Sequence, residues 1–178
     1  MFMFVGGTMA SMQPFTDVDV LDLTQSIAGP FATQQLGALG ANVVKVEPPR
    51  GDDFRGKMNG AMFAAYNMGG KRSLCLDLKT EAGRGIVREL ASKADVLVES
   101  FRPGVMERFG LDYESVAADN EDIVYCSVTG FGSSGPYSDR PAYDPVLQAM
   151  SGLMSLTGYP DRPPVRAGSS IVDCGTGM

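Results

Sequence analysis

The sequence of 178 residues contains no histidine and no tryptophan, and it contains only three cysteines. Without histidine a Ser-His-Asp triad is excluded, and the usual general base and the commonest transition-metal ligand are both missing. Cys75, Cys126 and Cys174 lie far apart and form no CxxC pair, so we expect no metal site and no disulfide framework. We predict instead three small buried hydrophobic side chains in a protein of the reducing cytoplasm.

Positive charge and long apolar runs are also scarce. Fifteen Lys and Arg oppose 21 Asp and Glu, which gives a net charge of −6 and a sequence pI near 4.6. Nonspecific nucleic-acid binding depends on a positive surface, and a membrane-spanning helix needs about 20 consecutive apolar residues. We therefore predict neither a nucleic-acid partner nor a membrane partner. Any anionic ligand has to be bound by a local cluster of cations.

The remaining composition, 44% apolar and 20% charged, is typical of a globular protein with one substantial core. Residues 1–16 carry no charge and therefore lack the basic region with which a signal peptide begins. We interpret residues 1–16 as a flexible leader and residues 17–178 as one α/β domain.

Short apolar runs alternate with helical patterns along this domain. Strands are predicted at 18–23, 41–47, 73–78, 94–101 and 123–131. Helices are predicted over 30–40 (beginning at Pro30), 61–70, 81–94 (with Thr80 as N-cap), 103–110, 113–119 and 143–158, and residues 169–178 are predicted to be extended before they turn into a helix. This alternation predicts a mostly parallel sheet, which binds its ligands at the carboxyl ends of the strands.

The predicted strand ends carry no familiar nucleotide motif. The first strand is followed by TQSIAGP (24–30) rather than GxGxxG, and the sequence contains no GxxxxGK[ST], which disfavours a conventional dinucleotide site and a P-loop. Several cations do lie near strand ends, and they either form a polyphosphate site or are solvated surface charges. Residue types alone favour solvated surface charges for all six of these cations: Lys45, Arg50, Arg55, Lys79, Arg102 and Arg108.

Asp173 is the most unusual carboxylate in the sequence. It follows the apolar run SSIV and precedes CGTGM, where two glycines leave the backbone N–H groups uncovered. Such a carboxylate can act as a nucleophile beside donors that stabilise an oxyanion. It can also be the N-cap of the following helix, and residue types alone favour that role. Cys174 is not expected to be a nucleophile because no histidine is present to activate it.

Five ordered segments of the sequence carry a family resemblance. They are VLDLTQSIAGPFATQQLGALGANVVKVEPP (20–49), NMGGKRSLCLDLKTEAGR (67–84), DVLVESFRPGVMERFGLDYE (95–114), YCSVTGFGSSGPYSDRPAYDPVLQAMSGLMSLTG (125–158) and VDCGTGM (172–178). With them the chain resembles the N-terminal portion of the class III CoA-transferases, the CaiB/BaiF family. The resemblance implies a Rossmann-like parallel sheet with flanking helices, as the N-terminal, CoA-binding part of the large domain.

The resemblance also implies a reaction, in which CoA moves between an acyl-CoA thioester and an acceptor carboxylate. The catalytic group is then Asp173, which forms a covalent aspartyl-CoA intermediate, while CoA is a substrate rather than a permanently bound cofactor and no metal takes part. Many relatives have a basic residue where this chain has Pro48 and Pro49, and we expect Arg50 to replace that contact. The implied CoA contacts are Gln25, Ser26, Ala28, Leu76, Lys79, Ser100, Phe101 and Arg108.

Two alternatives remain open within this resemblance. The family includes 2-methylacyl-CoA racemases, which pair the aspartate with a histidine at the position of Tyr143. Tyrosine, with an ordinary pKa near 10, is a poor proton carrier at neutral pH, so a transferase with Tyr143 in the substrate pocket is favoured. Relatives are also more than twice as long and form interlocked homodimers. The chain is therefore either a transferase or an inactive or split-gene CoA-binding fragment that needs a second chain.

Overall fold

The computed structural model describes residues 13–67 and 69–178. Its centre is a five-stranded sheet in which every pair of neighbouring strands is parallel. The strand order is β3-β2-β1-β4-β5, so the fold is the Rossmann-like α/β arrangement that the alternating pattern predicts. The strands are β1 (Asp19–Leu23), β2 (Asn42–Glu47), β3 (Lys71–Cys75), β4 (Val96–Glu99) and β5 (Val124–Ser127).

The helices connect these strands and continue beyond β5. Helix α3 begins at its predicted N-cap, because the Thr80 hydroxyl accepts a hydrogen bond from Gly83 N. Within the described residues, no helix is long and apolar enough to cross a membrane. The helices are α1 (Ala28–Ala38), α2 (Ala61–Asn67), α3 (Glu81–Ala91), α4 (Val105–Phe109), α5 (Tyr113–Ala117), α6 (Asp144–Met150) and α7 (Ile171–Thr176), with 3₁₀ turns at Lys57–Gly60 and Leu153–Leu156.

Alternate residues of the central strands face opposite sides of the sheet and form two cores. On one side Leu21 and Leu97 pack with buried residues of α3, α4 and α5. On the other side Val20 and Val43 pack with Leu36 of α1. Because both faces are covered by helices, the strands read as nearly continuous apolar runs.

The predicted leader falls mainly on residues 1–12, which lie outside the described residues. The last residues of that segment are described, and Phe15 packs against the cluster that contains Val20 and Val43. Its backbone N–H also donates to the carbonyl oxygen of Leu39, at the end of α1.

Several boundaries differ from the sequence predictions. The helix predicted over 143–158 is interrupted at Gly152, whose φ of 80° is left-handed, so it becomes α6 and a 3₁₀ turn. Strand β3 begins two residues earlier than predicted, and α1 begins at Ala28 rather than at Pro30. The prediction of buried cysteines is wrong: Cys75 and Cys126 are exposed because both lie on edge strands, and Cys174 is half-buried.

Two glycines of α3 provide a matched test of packing. A methyl group at Gly83 would lie 2.2 Å from the backbone oxygen of Asp77, whereas a methyl group at Gly85 would meet nothing within 4 Å. We expect Gly83→Ala to lower the free energy of unfolding by about 1–3 kcal/mol through overpacking. Gly85→Ala should raise it by about 0.5–1 kcal/mol because alanine favours the helix. Chemical denaturation of both variants measures the difference, and equal effects would contradict this packing.

Candidate active site

A cavity of about 450 Å³ opens at the carboxyl ends of β1 to β4. The strand order reverses on either side of β1, and parallel sheets bind ligands at such a switch point. Four of the predicted CoA contacts line the cavity, and the walls between them are largely apolar, with Phe109 and Leu78 among them. The four contacts are Gln25, Leu76, Lys79 and Phe101.

The charged side chains around the cavity differ in their pairing and in their exposure to solvent. Glu47 lines it but is paired with the Arg55 guanidinium at 2.5 Å and accepts a hydrogen bond from Ser73. Burial opposes ionisation of Glu47, yet these donors hold its pKa at about 2. Arg50 and Lys79 line the cavity with exposed side chains, so their cationic groups face solvent at the rim.

Two cations that the sequence placed near strand ends, Lys45 and Arg55, bind buried carboxylates instead of a ligand. Lys45 is 2% exposed and lies 3.2 Å from the buried carboxylate of Asp52. Arg55 is paired with Glu47, and Arg50 pairs only with exposed Asp53 at 3.2 Å. Lys45 and Arg55 are therefore committed to carboxylates rather than to a polyphosphate, because a buried carboxylate needs a cation of its own. The favoured prediction of solvated surface charges is wrong for Lys45, which is buried.

A second buried ion pair lies in the same sheet. The Lys71 ammonium is 2.9 Å from a carboxylate oxygen of Asp22, and both side chains are almost completely buried. Burial opposes ionisation of Asp22, but Lys45, Lys71 and two threonine hydroxyls keep its pKa below the ordinary value. Burial lowers the pKa of Lys71, which Asp22 counteracts. The network therefore holds charge inside the sheet without exposing it.

The loop between β1 and α1 carries three predicted CoA contacts. Ser26 has a φ of 69°, a left-handed conformation that costs about 1–3 kcal/mol for a residue with a side chain. Gln25 N donates to the hydroxyl of Ser100, at 2.8 Å, which fixes the loop to the end of β4. Ala28 is the first residue of α1. Strain of this kind persists only where the surrounding structure determines the conformation.

Helix α7 positions Asp173. The helix begins at Ile171 after the N-cap residue Ser170, whose side chain makes no capping hydrogen bond. The capping acceptor comes from α6 instead: Asp144 Oδ1 accepts from Val172 N at 2.8 Å and lies 3.4 Å from Asp173 N. The alternative that Asp173 is the N-cap of the last helix is therefore wrong, because Asp173 lies inside the first turn.

Asp144 is itself fixed by Gln148, one turn further along α6. Gln148 Nε2 donates to Asp144 Oδ2 at 2.5 Å, and Gln148 Oε1 accepts from Ala167 N at 2.9 Å. Asp144 is 2% exposed and Gln148 is fully buried. Within the described residues no lysine or arginine forms an ion pair with Asp144, so backbone amides and one side-chain amide solvate its carboxylate.

The environment of Asp173 raises its pKa to about 6, first through burial and second through the negative charge of Asp144. Tyr66 of α2 also lies close by, and burial together with Cys174 and Asp173 raises the pKa of its phenol. An aspartate with a pKa near 6 is more basic than usual, yet it is mostly ionised at neutral pH. Such a carboxylate is suited to nucleophilic attack.

One short segment connects the cavity with α7. Gln25 lines the cavity, and Ala28 lies three residues later, against the end of α7. A methyl group at Gly177 would lie 2.6 Å from the carbonyl oxygen of Ala28, so only glycine allows this approach. Residues 25–28 therefore lie between the cavity and the C-terminal end of α7, the helix that carries Asp173.

Six predicted site residues do not line the cavity: Ser26, Ala28, Ser100, Arg108, Tyr143 and Asp173. Arg108 is exposed on α4, next to Phe109, which does line the cavity. Tyr143 is 67% exposed and precedes α6, so its ring faces solvent beside buried Asp144. In the part of the chain that the structure describes, no three potential ligands among Cys, Asp and Glu are grouped closely enough to hold a metal ion.

The sequence reasoning did not identify Asp144 and Gln148. Their i, i+4 spacing places both on one face of α6, and the Asp-Pro pair is typical of a helix start. Those signals could have predicted the pair on α6. The partner, α7, lies 28 residues further along the chain, and no local pattern indicates a contact over that distance.

Comparison with known proteins finds relatives over nearly the whole chain. A sequence profile described as CoA-transferase family III matches residues 15–178. The acetyl-CoA:oxalate CoA-transferase of Acetobacter aceti is 48% identical over 169 residues, 91% of this chain and 43% of that protein. The succinate–glutarate CoA-transferase of Agrobacterium fabrum is 43% identical over 178 residues, 93% of this chain and 44% of that protein.

The fold has a close counterpart among solved structures. A CaiB/BaiF family protein from Brucella suis superposes with a TM-score of 0.88 at 45% identity, over 92% of this chain and 46% of that chain. The chain thus spans less than half the length of these relatives. Since the profile covers nearly the whole sequence and the same fold recurs at this identity, the chain belongs to CoA-transferase family III, the CaiB/BaiF family.

Proposed function

We propose that this protein transfers CoA from an acyl-CoA thioester to an acceptor carboxylate, with Asp173 as the covalent nucleophile. The observation that carries the proposal is the position of Asp173: a half-buried carboxylate with a pKa near 6, in the helix that residues 25–28 connect to the cavity. Family membership supports the same reaction class.

The proposed reaction proceeds through exchange of carboxylates. The Asp173 carboxylate attacks the thioester carbonyl and expels the CoA thiolate, which leaves a mixed anhydride. The thiolate then attacks the Asp173 carbonyl carbon, releases the donor acid and forms an aspartyl thioester. The acceptor carboxylate attacks that thioester, expels the CoA thiolate and forms a second mixed anhydride. The thiolate then attacks the acyl carbon of the acceptor, which gives the new acyl-CoA and releases the Asp173 carboxylate. Each nucleophile is already an anion, so the sequence needs no histidine as base.

The cavity suits the nucleotide end of CoA. Its walls include the aromatic rings of Phe101 and Phe109, which meet edge to face at 6.2 Å and offer an apolar surface for adenine. Arg50 and Lys79 stand at the rim, where exposed cations attract phosphates without a large desolvation penalty. Ser26, Ala28 and Ser100 are proposed to contact the pantetheine arm along the β1–α1 loop, and Arg108 a phosphate near α4.

Lys79→Ala tests the cationic rim. We expect the variant to bind free CoA about three- to tenfold more weakly, and the deficit should shrink at high ionic strength because exposed charges are screened. Lys93→Ala is the matched control, since Lys93 is exposed and pairs with Glu89 at the end of α3. Isothermal titration calorimetry at two salt concentrations measures both variants. Equal affinities for Lys79→Ala and wild type would contradict the assigned role.

The donors and acceptors proposed for this chain are small acids. The relatives described above are named for acetyl-CoA with oxalate and for succinate with glutarate. These four define a panel: acetyl-CoA and succinyl-CoA as donors, oxalate and glutarate as acceptors. A cytoplasmic homodimer is the proposed assembly. The racemase alternative receives no support, because the Tyr143 ring faces solvent and the sequence contains no histidine.

The deciding experiment is the intact mass of the purified chain before and after incubation with the donor panel, followed by hydroxylamine. We expect a CoA adduct that maps to Asp173 and is cleaved by hydroxylamine, which converts the aspartyl thioester to a hydroxamate. A folded sample that binds CoA but forms no adduct would contradict this mechanism for the chain alone. That result would favour the alternative of a CoA-binding portion that needs a second chain.

A further inference from the structure

Lys45 lies beneath the loop that carries Gln25, Ser26 and Ala28. Its side chain extends from the middle of β2 and is 2% exposed. The ammonium donates to the carbonyl oxygen of Thr24 at 2.7 Å, at the point where β1 passes into the loop. It also lies 3.2 Å from Asp52 Oδ2. A buried ammonium thus contacts two segments that are far apart in sequence.

These two segments follow the adjacent strands β1 and β2, and each carries one wall of the cavity. Thr24 leads directly into Gln25, which lines one wall, and Asp52 closes the turn that follows Pro48, Pro49 and Arg50 on the other. Asp52 N donates to Glu47 Oε2 at 3.0 Å, so the second turn is also fixed to the end of β2.

We propose that Lys45 is a positioning residue for CoA binding, because its buried ammonium joins the two cavity walls and holds the left-handed loop at Ser26. This inference rests on the proposed function for its ligand. Lys45 touches no substrate in this role and acts only through Thr24 and Asp52. A buried ammonium is destabilising unless each of its hydrogen-bond and ion-pair partners stays in place. Lys45 therefore holds the backbone that carries those partners.

Lys71 provides a control from the same sheet. It is the second buried lysine, and it pairs with Asp22 at 2.9 Å. Its other hydrogen bonds reach the carbonyl oxygen of Pro30 and two groups of α2, the Tyr66 carbonyl and Asn67 Oδ1. None of these contacts of Lys71 belongs to either cavity wall. Asp22 Oδ1 does accept a hydrogen bond from Thr24 N at 2.9 Å, and asparagine at this position keeps that acceptor, so the pair of Lys71 and Asp22 can be neutralised without releasing Thr24.

The test replaces each buried pair by neutral residues of similar shape, so that no uncompensated charge remains. We expect Lys45→Met with Asp52→Asn to weaken the binding of free CoA about tenfold or more, the scale of one lost hydrogen bond to a charged group. Lys71→Met with Asp22→Asn should lower the melting temperature by at least as much, yet keep CoA affinity within about threefold. Calorimetry with free CoA and thermal melts give both readouts. Equal losses of affinity in the two double variants, or wild-type affinity in the first, would overturn the proposal.

Amide hydrogen exchange separates this inference from the proposed function. Exchange at Gln25 and Ser26 should accelerate about tenfold or more in the Lys45 double variant and remain near wild type in the Lys71 double variant. If wild type does not bind CoA, the proposed function fails, whereas the exchange rates still decide whether Lys45 holds the loop. Asp52→Asn alone keeps the ammonium and is the milder variant. It should weaken CoA binding about three- to tenfold, and unchanged affinity would show that the two walls are not coupled.

Discussion

Replacing Asp173 by asparagine is expected to abolish the CoA adduct, with a loss in the rate of its formation of about a thousandfold or more. Asparagine keeps the size of the side chain and its place in the first turn of α7, but an amide cannot attack a thioester and be released again. Because the role is covalent, free CoA should bind within about threefold of wild type. Intact mass spectrometry and calorimetry on the same preparations measure the two quantities.

Asp161→Asn is the matched control for this variant, since Asp161 is exposed and the same change of charge is made away from the cavity. It should form the adduct at the wild-type rate. A hydroxylamine-sensitive adduct that survives in Asp173→Asn would show that another residue is the nucleophile.

Asp173→Asn is also expected to change the stability of the fold. The pKa of Asp173 rises from 3.8 to about 6 on folding, so the folded state binds this proton more tightly than the unfolded chain does. The contribution to stability is complete below about pH 4 and is lost as the pH rises towards 6. We therefore expect Asp173→Asn to be more stable than wild type at pH 7, with the difference decreasing below pH 6 and levelling off below about pH 4. Urea denaturation across this range tests the sign.

The second large effect is expected from Asp144→Asn. The amide oxygen can still accept from Val172 N, so the cap on α7 is retained while the negative charge is removed. The rate of adduct formation in wild type should rise with pH through an apparent pKa of about 6, because only the ionised nucleophile attacks. In Asp144→Asn this rise of the rate should occur at lower pH, with its apparent pKa shifted towards the ordinary aspartate value of about 4. The other titratable groups near Asp173 are Tyr66 and Cys174, and α1 contributes none.

The charge of Asp144 also affects the balance of intermediates. Conversion of Asp173 to a thioester removes a negative charge beside Asp144, so the repulsion favours the covalent state over the free carboxylate. We expect a smaller fraction of adduct at equilibrium in Asp144→Asn, measured by intact mass at fixed ratios of acyl-CoA to acid. Asp139→Asn, an exposed change in the preceding loop, is the control. If Asp144→Asn changes neither the pH dependence of the rate of adduct formation nor the fraction of adduct at equilibrium, this role of Asp144 is contradicted.

Much of the fold follows from local patterns. Thr80 is a recognisable N-cap, and the apolar runs of β1, β2 and β4 are long enough to identify buried parallel strands. Edge strands were placed less well, because β3 is mostly exposed and lacks the apolar pattern. Gly152 was read as part of a continuous helix, although a glycine can end a helix by adopting a left-handed conformation.

The residues of the site could be predicted from the sequence only where they lie close after the end of a predicted strand. Gln25, Leu76, Lys79 and Phe101 follow strands, and the sheet collects them around one cavity. Residue types favoured a solvated surface charge for Lys45, because a sequence does not reveal that Asp52 lies beside it inside the fold. Asp173 was identified as a possible nucleophile, but its raised pKa depends first on burial and second on the charge of Asp144, 29 residues away. Interactions between such distant residues depend on the tertiary fold.

The central position of β1 has a consequence for how the protein folds as it is synthesised. On one side β1 pairs with β2, whose Asn42 donates a hydrogen bond to Asp19 across 23 residues of sequence. On the other side it pairs with β4, and Asp95, the residue before β4, accepts a hydrogen bond from Asp19 N across 76 residues. A ribosome adding about 5–20 residues per second needs roughly 4–15 s to supply those 76 residues. During that interval β1, which carries Leu21 and Leu23, is an uncovered edge. The nascent chain therefore exposes an aggregation-prone surface for a time that far exceeds that of local folding events.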